Sequence, residues 1–289
     1  MFNSTLTRKR PGTMSVRPAL YPLPSRTDLR HRASASRLQR QRLQPGHVSQ
    51  IPFLSQLTVL EDGGTEQPPI TRGQKHVRAK FHSRKTGRLQ KAQGWGEIYL
   101  AKRNEAEALI FDYESHPFKY DGFLPEPGGS KAFAYFPDSV RQQRNRPPEV
   151  IEVKRSDRDL SDPEYREKLG LFREACRTWG WDFSVLTEDD IMEPGTPLIQ
   201  QMTSVLQWAD LELTPEEEDA AAQLLSYGVP ISWADFSHAV APDDPAQGDV
   251  VILHLLGTWR LTTPLNVLFA PTTSLEPVAP FAGKAEFRI

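Results

Sequence analysis

The sequence predicts a mixed α/β protein, in which a small sheet with flanking helices precedes a mainly helical C-terminal region. Between residues 95 and 187, short runs of β-branched and aromatic residues alternate with segments of helical period. After residue 193, four helix-forming segments follow one another at short intervals. Residues 1–75 show neither period and are rich in Pro, Ser and Arg, which is typical of a mostly disordered tail.

The composition limits the class of protein. The 289 residues suit two domains of ordinary size, or one domain with a long tail. The apolar runs are too short to cross a membrane. Cys176 is the single cysteine, so neither a disulfide nor a cysteine-based zinc site can form within one chain. We therefore expect a reducing, cytoplasmic location.

The charge is divided unequally along the chain. Residues 1–91 contain 18 Lys and Arg against 4 Asp and Glu, whereas the remaining residues contain 17 against 33. A basic head suits a polyanion, and an acidic body suits a protein partner. The apolar segment 51–60 is expected to act as a short docking element within the basic tail.

A second basic cluster ends this head and is predicted to hold DNA phosphates, the alternative being a solvated linker. It comprises Arg78, Lys80, Arg84, Lys85, Arg88 and Lys91.

The core elements are predicted in the order helix, three strands, helix, strand. Good helix formers occupy 96–109, and the β-prone segments are 110–113, 131–136 and 149–154. The segment 116–122, with a proline and a glycine, is expected to interrupt the strands.

The second core helix is predicted over 161–180. Asp162 can cap it, Pro163 suits its first turn, and Gly180 suits its C-terminal stop. A last strand is predicted at 182–186. The apolar stripe of this helix recurs every three or four positions and comprises Tyr165, Leu169, Phe172, Cys176 and Trp179.

The C-terminal region has the chain order of a winged-helix-like module, because several short helices precede a hairpin. The helices are predicted at 197–211, 215–228, 232–240 and 247–259, and the hairpin at 260–271.

The chemistry is concentrated at two predicted strand ends. Asp138 is expected to end one strand, directly after Pro137, while Glu152 and Lys154 share a face of the next. Carboxylates brought together repel each other unless a proton or a cation intervenes. A hard dication, Mg²⁺ with Mn²⁺ as its substitute, satisfies such oxygen ligands. Lys154 would position a water or balance charge that develops on a phosphate.

A third carboxylate is expected from the first core helix. Glu97 is the predicted residue, and Glu105 and Glu107 are alternatives. With Asp138 and the Glu-x-Lys at 152–154 it forms a PD-(D/E)xK nuclease signature, in the element order of a restriction-endonuclease-like core. The predicted metal ligands are Glu97, Asp138 and Glu152. The seven histidines show no metal-ligand spacing, so a structural role is expected for His116.

The sequence resembles TnsA-type endonucleases, which are subunits of heteromeric bacterial transposases and act beside a TnsB transposase. The segments that carry the resemblance include "KFHSRKTGRLQ", "FAYFPDSV", "PPEVIEVKRS" and "GWDFSVLTEDDI". They imply a nuclease domain over 76–192 in a bacterial protein, with Glu97, Asp138, Glu152 and Lys154 as its catalytic set. The implied reaction is hydrolysis of a phosphodiester at transposon ends during cut-and-paste transposition.

The resemblance also implies partners for the chain. The looser similarity over 193–289 implies a winged-helix-like domain that docks onto a TnsC-like AAA+ ATPase. Three positions depart from the family pattern: Gly96 replaces a Leu, His116 replaces a Gln and Ser139 replaces a Phe. A stand-alone restriction or repair nuclease and a catalytically inactive DNA-binding adaptor remain the alternatives.

Overall fold

The computed structural model describes the backbone of residues 38–42 and 56–60, and residues 77–279 with their side chains. The remainder of the predicted basic tail lies outside the described residues, as do residues 280–289. The mixed α/β class is confirmed, since sheets and helices alternate along the described chain.

Ten strands are described before the C-terminal helices. They are β1 (Leu38–Arg42), β2 (Gln56–Leu60), β3 (Arg78–His82), β4 (Leu89–Gln93), β5 (Ile110–Ser115), β6 (Lys119–Glu126), β7 (Gly129–Tyr135), β8 (Ser139–Gln143), β9 (Glu149–Lys154) and β10 (Asp182–Thr187).

Two four-stranded sheets organise these strands. One has the order β1-β2-β6-β7, and its neighbours are antiparallel. The other has the order β10-β9-β8-β5, in which β9 and β10 are parallel and the remaining neighbours antiparallel. The strand β2 covers the second half of the predicted docking element 51–60 and pairs with β6. The strands β3 and β4 form a separate antiparallel hairpin.

Three helices accompany the sheets: α1 (Trp95–Ala106), α2 (Pro163–Thr178) and α3 (Glu188–Met192). The predicted features of α2 are present. The Asp162 side chain accepts a hydrogen bond from the Glu164 amide at 3.0 Å, and Gly180 has a φ of 75° two residues after the helix. The aspartate therefore caps the first turn, and the glycine permits the left-handed turn that follows the last.

The number of strands differs from the prediction. Five strands, β5 to β9, lie between α1 and α2, where three were predicted. The segment 116–122 contains the start of β6, in which Tyr120, Gly122 and Leu124 alternate as buried residues. Gly122 does not break this strand. A Cβ there would lie 2.7 Å from the ring of Tyr120 and 2.8 Å from that of Phe133, so the glycine gives those rings room.

The strand β8 occupies a polar segment between the predicted strands 131–136 and 149–154, where no strand was predicted. Its residues Ser139, Val140 and Arg141 pair with Ile151, Val150 and Glu149 of β9. Asp138 therefore lies directly before β8, and not at the end of the preceding strand, because β7 ends at Tyr135.

An aromatic core lies beneath the sheets. Phe172 of α2 is fully buried, and its ring centroid lies 4.6 Å from that of Tyr135, 5.0 Å from that of Tyr120 and 5.2 Å from that of Phe183. Because these partners belong to β7, β6 and β10, this one side chain joins both four-stranded sheets to the helix.

The C-terminal region contains α4 (Leu198–Trp208), α5 (Pro215–Ser226), β11 (Ile231–Ser232), α6 (Trp233–Val240), α7 (Pro245–Gly257), β12 (Leu261–Thr262) and β13 (Ser274–Pro277). The short strands form an antiparallel sheet of order β11-β13-β12. The predicted hairpin at 260–271 is therefore too short, because the partner of β12 begins at residue 274. Among the described residues, no helix is both long and apolar enough to cross a membrane.

The C-terminal region packs directly against α1. Ala106 belongs to the same buried apolar cluster as the cores of α4 to α7. The indole Nε1 of Trp259 donates to the Glu105 carbonyl at 2.7 Å, and Arg84 forms an ion pair with Asp210 at 2.8 Å. The C-terminal region thus supports α1, the helix that carries Glu97.

Candidate metal centre

Three elements bring Glu97, His116 and Asp138 together. Asp138 precedes β8, and its Oδ2 accepts a hydrogen bond from the Val153 amide of β9 at 2.7 Å. Glu97 lies in the first turn of α1, where its Oε2 accepts from the Gln93 amide at 2.8 Å. His116 follows β5, and its amide donates to the Asp138 carbonyl at 2.9 Å. The backbone hydrogen bond therefore ties His116 to Asp138, and Glu97 lies close to both.

The side chains of these residues converge on one point. One ligand atom from each of Glu97, His116 and Asp138 lies within 4.8 Å of the others. The two nearest atoms of the histidine–glutamate pair, His116 Nε2 and Glu97 Oε2, are 3.2 Å apart. A nitrogen and two carboxylates at this spacing can bind one divalent cation.

The charges around Asp138 also favour a bound cation. Loss of water around the carboxyl raises its pKa well above the usual value, and the negative charges of Glu152 and Glu97 raise it further. The hydrogen bond from Val153 and the charge of Lys154 only partly oppose this rise. A cation among these groups would remove the repulsion, so the residues present fit a metal ion.

Glu152 has a different environment from Asp138. It is buried, and the Tyr135 hydroxyl donates to its Oε2 at 2.6 Å. The Tyr165 hydroxyl and the Lys154 ammonium donate to its Oε1 at 2.5 and 2.6 Å. Both oxygens thus have protein donors, and Glu152 is not one of the three converging ligand residues.

Both tyrosine hydroxyls donate hydrogen bonds to Glu152 and stay protonated. Burial and the adjacent Glu152 charge raise the pKa values of both Tyr135 and Tyr165, so their hydroxyls stay protonated. The Lys154 ammonium also lies 4.6 Å from the ring centroid of Tyr165, a cation–π distance. Glu152 and Lys154 are consequently held as a fixed pair beside Asp138.

The alternative helix carboxylates lie elsewhere. Glu105 accepts hydrogen bonds from the hydroxyls of Ser83 and Tyr113, both at 2.7 Å. Glu107 forms an ion pair with Arg103 at 2.6 Å. Both groups therefore stabilise the packing of α1, and Glu97 is the helix carboxylate that lies with Asp138.

The six predicted DNA-binding residues separate into two sets. Arg84 contacts the C-terminal region, as described above. Lys85 donates to the carbonyls of Asn104 and Glu107 at 2.5 and 2.7 Å, and its burial lowers its pKa to about 7. Arg88 forms ion pairs with two acidic residues of β5. These three side chains are occupied within the chain.

The other three basic residues share one exposed face of the β3–β4 hairpin. Lys80 of β3 lies directly opposite Lys91 of β4. Arg78 lies two residues before Lys80, on the same face of β3. Directly opposed like charges destabilise a strand pair. A polyanion bound over this face would relieve that repulsion.

Sequence reasoning missed His116, Tyr135 and Tyr165 as site residues. The three converging residues come from separate parts of the chain, so no short spacing such as two histidines on one helix marks them. The one available signal for His116 was that it stands where the resemblance to TnsA-type endonucleases would place a glutamine. Tyr165 belonged to the apolar stripe of α2, and its hydroxyl leaves that stripe to reach Glu152.

Comparison with known proteins gave no match, either to a protein-family model or to a curated protein.

Proposed function

We propose that this chain is a metal-dependent DNA endonuclease of the PD-(D/E)xK type and the TnsA-like subunit of a heteromeric transposase. One observation carries the proposal. Asp138, directly before β8, lies beside Glu152 and Lys154 of the adjacent antiparallel strand β9, with Glu97 of α1 next to Asp138. Two carboxylates beside a further carboxylate and an ammonium suit metal-dependent hydrolysis of a phosphodiester, and the set comes from three separate parts of the chain.

Each side chain has a distinct role in the proposed reaction. A divalent cation, Mg²⁺ or Mn²⁺, would supply Lewis acidity and a water of lowered pKa when bound. Glu97 and Asp138 hold it, and Glu152 anchors the Lys154 ammonium at 2.6 Å. That ammonium places positive charge where negative charge develops on the phosphate. Tyr135 keeps the Glu152 carboxylate in place.

The exposed face of the β3–β4 hairpin would bind the DNA backbone. Exchange of Lys80 and Lys91 for alanine is expected to reduce the log–log salt slope of DNA binding by about 2, since each phosphate contact contributes roughly 0.9. Fluorescence anisotropy between low and moderate salt measures this slope. Alanine at Lys131 and Arg177, which are exposed basic residues on β7 and α2, is the matched control. Equal slopes in both double variants would show that the hairpin does not contact phosphates.

The C-terminal region would dock onto protein partners as a winged-helix-like domain. A strand lies between its helices, two more follow α7, and all three form one antiparallel sheet, an arrangement that supports this assignment. The helix α7 contains no Lys or Arg, so it is poorly suited to reading DNA. We therefore assign sequence choice to a TnsB-like transposase and control of cleavage to a TnsC-like ATPase.

Specific cleavage is expected to depend on these partners. The isolated chain should bind DNA weakly and cut it barely or without specificity. Addition of the cognate TnsB-like and TnsC-like proteins with Mg²⁺ should produce cuts at the transposon ends. End-labelled plasmids, incubated with and without partners and with a chelator as the control, measure this directly. Specific end cleavage by the chain alone would instead identify a stand-alone nuclease.

One observation favours a second candidate, a catalytically inactive adaptor. Both Glu152 oxygens already accept hydrogen bonds from protein donors. In that case the complete assembly would bind the ends and leave them uncut under Mg²⁺ and Mn²⁺ alike.

A further inference from the structure

We infer that His116 binds the cation of this centre directly through Nε2, which makes the centre a mixed nitrogen–oxygen site that selects Mn²⁺ over Mg²⁺. The inference deepens the proposed nuclease function, because it names the cation class of that same site. It rests on the position, burial and surroundings of one side chain.

The backbone holds His116 in an unfavourable conformation at the site. Its φ is 50°, in the left-handed region that few residues other than glycine adopt, although histidine does so more often than most. Its amide donates to the Asp138 carbonyl at 2.9 Å, which ties the residue to the start of β8. Strained backbone of this kind persists where the surrounding structure imposes it, and it clusters at ligand sites.

The imidazole nitrogen that faces the centre lacks a hydrogen bond. The residue is 6 % exposed, and its Nε2 has no hydrogen-bond partner among the described residues. Glu97 Oε2 lies 3.2 Å away, which is an ion-pair distance for a protonated imidazole, but the geometry does not form a hydrogen bond. A buried polar atom without a hydrogen bond is costly, so such an atom in a native site requires an explanation.

A metal ion explains this arrangement in the neutral imidazole. Its Nε2 lone pair and the Glu97 carboxylate are both electron donors, and they repel each other when they stand close together. Asp138 adds a third donor within 4.8 Å of both. A cation accepts electron pairs from all three, and ligands on opposite sides of one ion are roughly 4 Å apart. The observed spread therefore needs only a small contraction.

The nitrogen ligand determines the metal preference. Mg²⁺ takes hard oxygen ligands in near-ideal octahedral geometry. Imidazole favours first-row transition metals, and Mn²⁺ also accepts carboxylates and water. A centre with two carboxylates and one imidazole should therefore discriminate in favour of Mn²⁺ more strongly than a centre with three carboxylates.

The test measures Mn²⁺ on the full-length chain by electron spin-echo envelope modulation. The wild type is expected to show coupling of the bound Mn²⁺ to a ligand ¹⁴N nucleus, with loss of that ¹⁴N coupling when histidine is supplied as ¹⁵N. The variant His116→Asn should lose the coupling and bind Mn²⁺ at least about tenfold more weakly, while its Mg²⁺ affinity changes much less. Asparagine tolerates the left-handed backbone of this position. The matched control is His238→Asn, at an exposed histidine of α6.

The outcomes separate this inference from the nuclease proposal. Bound Mn²⁺ without nitrogen coupling, no Mn²⁺ binding, or unchanged affinity in His116→Asn would each overturn the assignment of His116. The wild-type spectrum does not depend on whether the variant folds. A chain that binds Mn²⁺ through nitrogen but leaves DNA uncut in the complete assembly would overturn the nuclease proposal alone.

Discussion

Asp138→Asn is expected to abolish strand cleavage by the complete assembly while the fold stays intact. The substitution removes one negative charge from the group that would hold the cation. Loss of one such electrostatic group lowers turnover by about a hundredfold to a thousandfold. An amide oxygen can still accept the hydrogen bond that Val153 now donates to Asp138 at 2.7 Å, so the start of β8 should keep its position.

The stability of the same variant tests the physical reason. The pKa of Asp138 is raised in the folded protein, so its carboxyl contributes stability that is present below the ordinary aspartate pKa and is lost as the pH rises through the raised value. In the presence of a chelator, the wild type should therefore lose more thermal stability than Asp138→Asn between acidic and mildly alkaline pH.

Cleavage of an end-labelled plasmid and thermal unfolding at several pH values measure the two effects. Asp157→Asn, at an exposed aspartate of the turn Asp157–Leu160, is the matched control and should cut normally. Full cleavage by Asp138→Asn in Mg²⁺ or Mn²⁺ would contradict the assigned catalytic role. The electrostatic explanation would be contradicted if the thermal stability of the wild type changed with rising pH in the same way as that of the variant.

Phe172→Ala is expected to lower the free energy of unfolding by about 3–5 kcal/mol, the usual cost of truncating a buried phenylalanine. Phe172 is 0 % exposed and contacts rings from β6, β7 and β10. The cavity would therefore lie where both four-stranded sheets meet α2. Such a loss is a large part of the stability of an ordinary domain.

Urea unfolding followed by circular dichroism measures this change. Leu109→Ala is the control, because this leucine is 49 % exposed and should change stability by less than about 0.5 kcal/mol. Cleavage should also fall in Phe172→Ala, since the Tyr135 ring that packs on Phe172 carries the hydroxyl bound to Glu152. A loss of less than about 1 kcal/mol would show that Phe172 does not join the sheets as described.

Several local features could be predicted from sequence because their causes are local. The cap at Asp162, the proline in the first turn of α2 and the glycine after it each satisfy a backbone requirement within a few residues. The strand at 149–154 follows from a dense run of β-prone residues. These elements are described at or within two residues of their predicted positions.

The errors arose where tertiary contacts outweigh local preference. The polar segment of β8 is a strand because it pairs on both edges, with β5 and β9. Gly122 is usual for a turn, yet here it makes room for two rings within β6. The partner of β12 is β13, which follows an irregular connection. Such a connection has no hydrophobic period from which the pairing could be predicted.

The sequence by itself determined the mixed α/β class, the caps of α2, and the selection of Asp138, Glu152 and Lys154 as residues of interest. Only the tertiary structure decided which groups meet. It brought His116 to Glu97, placed two tyrosine hydroxyls on Glu152, and gave Arg84, Lys85 and Arg88 partners within the chain. The physical reason is that propensity acts over a few neighbouring residues, whereas a ligand site depends on contacts between elements far apart in the chain.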